Sequence, residues 1–283
     1  MKTKEENWSL IIKPNQSIFS FDYKALWRFR DLLFLFVKRD IVSAYKQTIL
    51  GPLWFLIQPI LTTITFTIIF HAIAKINTDG LPPLLFYMSG IILWSYFSEC
   101  LMKTSETFSA NAGIFGKVYF PRLIVPISIV ISNMIRFGFQ FFLLLIIWMY
   151  YYFSGEAIHM NTTIFLFPLL ILLMAGHGLA FGIIISSLTT KYRDLKFLVQ
   201  FGVQLLMYGS SVVMPLSSAT GNFRKLLLLN PMTSIIEAFK YGLLGVGVYD
   251  FTYLIYNFIA LIFILLIALL LFNKVEKSFM DTV

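Results

Sequence analysis

The stretch PLWFLIQPILTTITFTIIFHAIA, Pro52–Ala74, decides the fold class. It holds no Asp, Glu, Lys or Arg over a length that matches a bilayer core, which takes about 20 apolar residues in a helix. The residues before it, KRDIVSAYKQTILG (Lys38–Gly51), are charged and largely basic. The pair forms a joint between a surface segment and a membrane span. Gly51 is read as the end of one helix. Pro52 starts the next, at a position where its missing N–H costs little. Trp54 anchors the span at the interface, and Gln58-Pro59 places a polar group and a freed carbonyl inside it.

Working outward, five more apolar stretches read as spans: Pro83–Met102, Ile124–Phe153, Ile164–Leu188, Phe197–Met214 and Phe251–Phe272. The Ile124–Phe153 stretch is long enough to tilt or to protrude. A seventh apolar stretch, LLLLNPMTSIIEAF (Leu226–Phe239), is broken by Asn230-Pro231. Each half is too short to cross, so the region of about 222–248 is read as a re-entrant pair of short helices, buried in protein or lining a water cavity. The expected fold is all-α and integral to the membrane. Residues 1–51 form a cytoplasmic N-terminal segment, and residues 52–283 form a six-span domain. The whole composition agrees: 58% of residues are hydrophobic and only 13% are charged, against about 25% charged in soluble domains.

Lys and Arg set the orientation. Residues 1–51 hold nine; Lys103, Lys117, Arg122, Lys191, Arg193, Lys196, Lys274 and Lys277 bring one side to seventeen. The other side has four: Lys75, Arg224, Lys225 and Lys240. This asymmetry puts both termini in the cytoplasm. It also accounts for the net charge of +8 without nucleic acid. The first fifty residues contain no long apolar run, so no cleavable signal peptide is expected.

Before the first span, Asp22 to about Val37 reads as an amphipathic interface helix with Asp22 as N-cap. Leu26, Phe29, Leu33, Phe36 and Val37 share one face; Lys24, Arg28, Asp31 and Lys38 share the other. Trp27, Arg28, Arg30, Arg39 and Asp40 are the candidate headgroup-level residues.

The acids carry the exclusions. Of fourteen, only Glu99 is read at membrane depth. Ion-coupled transporters carry ionisable residues within their spans, and metal-dependent transferases need clustered carboxylates; neither pattern occurs. NAGIFGKVYF (Asn111–Phe120) looks like a phosphate-binding loop, but Asn111 replaces its first glycine and Val118 its hydroxyl. No ATP, metal or catalytic site is expected in this chain. Cys100 has no ligand cluster around it. His177, within Ala175–Gly178, is read as a packing residue, with membrane acyl- or glycosyltransferase chemistry at His177 or Glu99 as the alternative.

Polar residues within spans are candidates for a conduit: Gln58, Arg136 and Gln140. Arg136 fits pore contact or a structural pair. Trp94, Tyr96 and Phe97 are aromatic candidates, read either as interfacial anchors or as stacking faces for a sugar polymer.

Several separated motifs then resemble one family. RDIVSAYKQTILGPLWFLIQP (Arg39–Pro59), KVYFPRLIVPIS (Lys117–Ser128), KYRDLKF (Lys191–Phe197) and LLNPMTSIIEAFKYGLLG (Leu228–Gly245) are similar, in order and spacing, to permease subunits of type-2 ABC transporters. The resemblance is to the exporters of O-antigen, capsule or teichoic acid. It implies a homodimer in the bacterial cytoplasmic membrane, around a central channel. It implies two copies of a separate ATPase, which binds the ATP and Mg, and a polysaccharide on an undecaprenyl pyrophosphate carrier. Lys117, Tyr119, Phe120, Pro121 and Arg122 would dock the ATPase or gate the inner mouth, with Arg193 and Asp194 as a second contact. Asn230 and Pro231 would form the outer gate. Arg136 stands where relatives often have an acid, and Lys240 where many have arginine, which loses the bidentate fork. A type-2 permease for a drug or lipid shares the same fold and is the alternative within transport.

Overall fold

The structure is a computed structural model that describes residues 23–282, with side chains through Glu276. Asp22, the expected N-cap, lies outside the described residues. Among those residues the chain is helical, without strands. The elements are α1 (Tyr23–Arg28), α2 (Arg30–Tyr45), α3 (Trp54–Phe66), α4 (Pro83–Ser105), α5 (Thr107–Phe115), α6 (Ile124–Phe153), α7 (Phe167–Thr189), α8 (Leu195–Tyr208), α9 (Gly221–Leu229), α10 (Pro231–Leu244) and α11 (Phe251–Thr282).

Five of the described segments are long and apolar enough to cross a membrane: Gly51–Ile73, Pro83–Ser105, Ile124–Phe153, Thr162–Thr189 and Phe251–Glu276. The first is a composite rod, with a 3₁₀ turn at Gly51–Leu53 before α3 and a π-helical extension at Thr67–Ile73 after it. Gly51 sits at φ +54, a left-handed conformation that suits glycine, and begins this rod. The preceding helix ends six residues earlier, at Tyr45, so Gly51 does not close it.

Only part of the expected span Phe197–Met214 is helical. Its helix, α8, runs for 14 residues and stops at Gly209; residues 209–215 are irregular. At a rise of 1.5 Å per residue, α8 is about 21 Å long, short of a hydrocarbon core of about 30 Å. The interface segment is also longer than expected, with a break at Phe29 between α1 and α2.

α4 is the hub, packed by α3, α6, α7, α8 and α10, while α11 closes on α7 and α2 lies along α6. Small residues permit the closest approach. A Cβ added at Gly178 would lie 2.7 Å from Cys100 Cβ, and one at Gly182 would lie 2.5 Å from Thr104 Cβ. Such contacts are how helices gain packing in a medium as apolar as their own side chains. Phe36 and Val37 of α2 are buried, and Lys24, Arg28, Asp31 and Lys38 are exposed. α1 and α2 therefore have one packed and one open face. The bundle has two ends: an α5 end, where α2, α5 and the tail of α11 gather, and an α10 end.

Candidate functional site

A polar seam joins α4 to α6. Asn133, Arg136 and Gln140 recur at helical spacing on one face of α6. Glu99 and Lys103 stand one turn apart on α4. Lys103 Nζ donates to Glu99 Oε2 at 2.7 Å and to Asn133 Oδ1 at 3.0 Å. Arg136 Nη1 donates to the same Glu99 oxygen at 3.1 Å, and its guanidinium lies over Phe55 at 4.9 Å. The two readings of Arg136 left open by the sequence are thereby narrowed: it is half of an ion pair with the acid placed at membrane depth. Pairing offsets the cost of an arginine within a span.

Gln140 has a different role. Pro59 has no N–H, so Phe55 O lacks its partner one turn on. Gln140 Nε2 fills the gap from α6, at 3.2 Å. Near the seam, α2, α4, α5 and α6 enclose a cavity of about 390 Å³ that reaches Arg39, Asp40, Lys103, Ser132 and Arg136.

At the α5 end, the segment Lys117–Arg122 divides. Lys117 and Tyr119 are exposed, whereas Phe120 is buried. Phe120 meets Phe36 of α2 (5.7 Å) and Phe115 of α5 (5.8 Å). Arg122 Nη1 donates to Glu276 O at 2.6 Å, and the guanidinium lies 5.5 Å from the Phe115 ring centre. Burial pushes the Arg122 guanidinium below its ordinary pKa, and the Glu276 carboxylate pulls it back. Phe120 and Arg122 therefore tie α2, α5 and α11 together, and only their neighbours are presented outward. Pro121 is half-buried, and Arg193 and Asp194 are exposed.

The α10 end holds two residues that sequence reasoning missed as a unit. Glu237 and Lys240 are fully buried on α10. Lys240 Nζ donates to Ser211 O at 2.6 Å and lies 3.4 Å from the centre of the Phe86 ring. Glu237 accepts from Leu216 N (3.3 Å) and Val248 N (2.9 Å). Ser211 and Leu216 bound the irregular segment after α8, so α10 supplies the partners which that backbone lacks. Irregular backbone at membrane depth is tolerated only under such protection. The signal was visible: Glu and Lys three apart in an otherwise apolar helix. Nearby, Ser217 Oγ donates to Asp79 at 2.7 Å, joining the loop after the first span to the same region.

Asn230 caps α10, accepting from Met232 N at 3.0 Å, with Pro231 at the first helical position. Its amide also donates to Leu206 O and Gly209 O, at 3.1 and 3.0 Å. The tip between α9 and α10 is thus pinned to the end of α8. Behind it lies an apolar groove of about 680 Å³, walled by α4, α7, α8 and α9 and reaching Phe97, Phe181, Leu206 and Leu229.

The aromatic conduit candidates are corrected. Trp94 and Tyr96 are only 4% and 3% exposed, packed on Phe97 and Phe137; neither presents a surface to a channel. Phe97 borders the groove instead. Gln58 is exposed. His177 is fully buried, with Nδ1 2.8 Å from Leu173 O, which suits packing and gives a substrate no access. Among the described residues no group of His, Cys, Asp and Glu could hold a metal ion.

Residues 31–244 match the ABC-2 type transporter family. The chain belongs to that family. The resemblance carried by the four motifs is thus borne out. The ABC-2 chain is 26% identical over 219 residues to the O-antigen export system permease protein RfbA of Myxococcus xanthus, covering 77% of this chain and 82% of the relative. It is 24% identical over 251 residues to the protein of the same name from Klebsiella pneumoniae, covering 89% and 94%. It is 25% identical over 207 residues to the polysialic acid transport protein KpsM of Escherichia coli, covering 70% and 76%. The family and these permeases mark the ABC-2 chain as a transporter component rather than an enzyme.

Proposed function

We propose that this chain is the permease subunit of an ATP-driven exporter that carries a lipid-linked polysaccharide, of O-antigen type, across the bacterial cytoplasmic membrane. The observation that carries the reading is its match to an O-antigen permease over 89% of its own length and 94% of the relative's. Two copies assemble through faces that the single chain leaves open, Leu61, Ile64 and Ile68 on the first span and Phe197, Phe201 and Leu205 on α8. Two copies of an ATPase, which hold the ATP and Mg, bind the α5 end through Lys117, Tyr119, Arg193 and Asp194.

In this reading α8 and the irregular residues after it complete a sixth crossing. Both termini then lie in the cytoplasm, in line with seventeen basic residues against four. α1 and α2 lie on the inner surface, with Trp27, Arg28 and Arg30 outward, and α9–α10 dip back from the outer surface around Asn230-Pro231. The carrier is undecaprenyl pyrophosphate. Deleting the gene tests the function: surface polysaccharide should vanish while polymer accumulates in the cytoplasm, and the wild-type gene should restore display. Unchanged surface polysaccharide in the deletion strain overturns the reading.

A further inference from the structure

The cavity beside the α4–α6 seam carries surplus positive charge. Glu99 Oε2 is shared by Lys103 and Arg136, at 2.7 and 3.1 Å. Arg39 is matched by Asp40 at 2.8 Å, and Lys196 by Glu106 at 3.3 Å. In and around the cavity four cations thus meet three carboxylates, leaving one positive charge unbalanced; of these groups Arg39, Lys103, Arg136, Asp40 and Glu106 line the cavity itself. Donors are also in surplus. Lys103 has three N–H donors, and two are used, on Glu99 and Asn133. Arg39 has five, of which Nε and Nη2 face Asp40.

Arg39, Lys103 and Arg136 all line the same space of about 390 Å³. That volume equals roughly a dozen waters at about 30 Å³ each, enough for an anion and part of its hydration shell. The spare N–H donors of Lys103 and Arg39 are the ones that an oxyanion in this space would meet. Phosphate oxygens suit forked arginine donors and a point-charge lysine together.

We propose that this cavity binds the phosphodiester headgroup of an anionic membrane lipid, one per chain. The surplus of one charge selects a monoanion. A pyrophosphate, with at least two negative charges, would leave its second charge facing Asp40 and Glu106, the acids that line the cavity. The proposal rests on the reading that the α5 end lies at the inner membrane surface, where anionic headgroups and basic residues meet.

The test uses the full-length chain, purified and returned to phosphatidylcholine discs with or without phosphatidylglycerol. Native mass spectrometry counts retained lipids, and thermal melting reports binding. Phosphatidylglycerol should be retained at one per chain over phosphatidylcholine and should raise the melting temperature. Lys103→Gln should weaken that binding roughly tenfold, the scale of one charge-assisted hydrogen bond, and Lys103→Arg should restore it. Glu99→Gln frees a second positive charge and should tighten binding, a gain that misfolding cannot mimic. Equal retention of both lipids, or phosphatidylglycerol binding unchanged in Lys103→Gln, overturns the proposal. So does displacement of phosphatidylglycerol by inorganic pyrophosphate at lower concentration than by glycerol phosphate, which assigns the cavity to a diphosphate. Surface polysaccharide that depends on the gene while the lipid fails to bind sinks the headgroup site alone and leaves the export function standing.

Discussion

Gln140 donates its side-chain amide to Phe55 O, the carbonyl that Pro59 deprives of a helical partner, at 3.2 Å. The contact crosses 85 residues of sequence and joins the first span to the third. Gln140→Leu should cost about 1–3 kcal/mol, the penalty for a buried carbonyl left without a donor. Pro59→Ala restores the N–H, so Gln140→Leu in that background should be much milder. A double-mutant cycle by thermal melting checks this. Additive effects would mean that Gln140 serves something other than the proline gap.

Arg122 is a latch, and its neighbours are the free surface. Arg122→Ala removes a charge-assisted hydrogen bond to Glu276 O and should destabilise the chain by about 1.5–3 kcal/mol. Limited proteolysis should then open the α11 tail first. Arg122→Glu would impair ATPase binding only as a consequence of that loosening. Tyr119→Ala and Lys117→Glu lie on exposed side chains and should leave melting within about 0.5 kcal/mol while reducing ATPase co-purification. Normal co-purification in both variants would move the docking surface elsewhere.

Much of this fold was legible because the bilayer imposes a length and a composition on every crossing. Pro52–Ala74 needed only to be counted, and the interruption at Asn230-Pro231 separates α9 from α10 as the proline rule requires. The end of α8 was not legible. Gly209, Ser210, Ser211 and Pro215 weaken the helix there, but what lets the chain stay non-helical is tertiary: Glu237 and Lys240 satisfy its backbone from another element. Arg122 misled for the same reason. Basic loop residues read as outward by default, yet its partner, Glu276, lies 154 residues on. Trp94 and Tyr96 show the limit of composition, since an aromatic within a span looks alike whether it faces lipid, a conduit or the protein core.

The glycines of α7 make a steric prediction. A Cβ at Gly182 would lie 2.9 Å from Leu101 O, and one at Gly178 would lie 3.1 Å from Phe97 O; both obstacles are backbone that cannot swing aside. Gly182→Ala and Gly178→Ala should each separate α7 from α4 and lower the yield of folded protein, at the 1–3 kcal/mol typical of overpacking. Gly138→Ala on α6 has nothing within 4 Å of the new methyl. It should be neutral or gain up to about 1 kcal/mol in helix propensity. Detergent melting curves of the three variants decide it, and a loss at Gly138 as large as at Gly182 would place an unseen partner against α6.

Glu237 and Lys240 make the last and largest prediction. Both side chains are fully buried, so removing either leaves buried backbone groups without partners. Glu237→Ala orphans the N–H groups of Leu216 and Val248, and Lys240→Met orphans Ser211 O. Each should cost about 1–3 kcal/mol for every buried backbone group left without a partner. The double variant Glu237→Gln with Lys240→Met keeps an acceptor for the backbone and removes both charges, so it should cost less than the two single changes together. Melting temperature measures the coupling, and cysteine labelling at Ser217 reports whether the segment after α8 has come loose. Strictly additive losses with no change in labelling would show that the two residues act apart and that the irregular backbone holds its shape by other means.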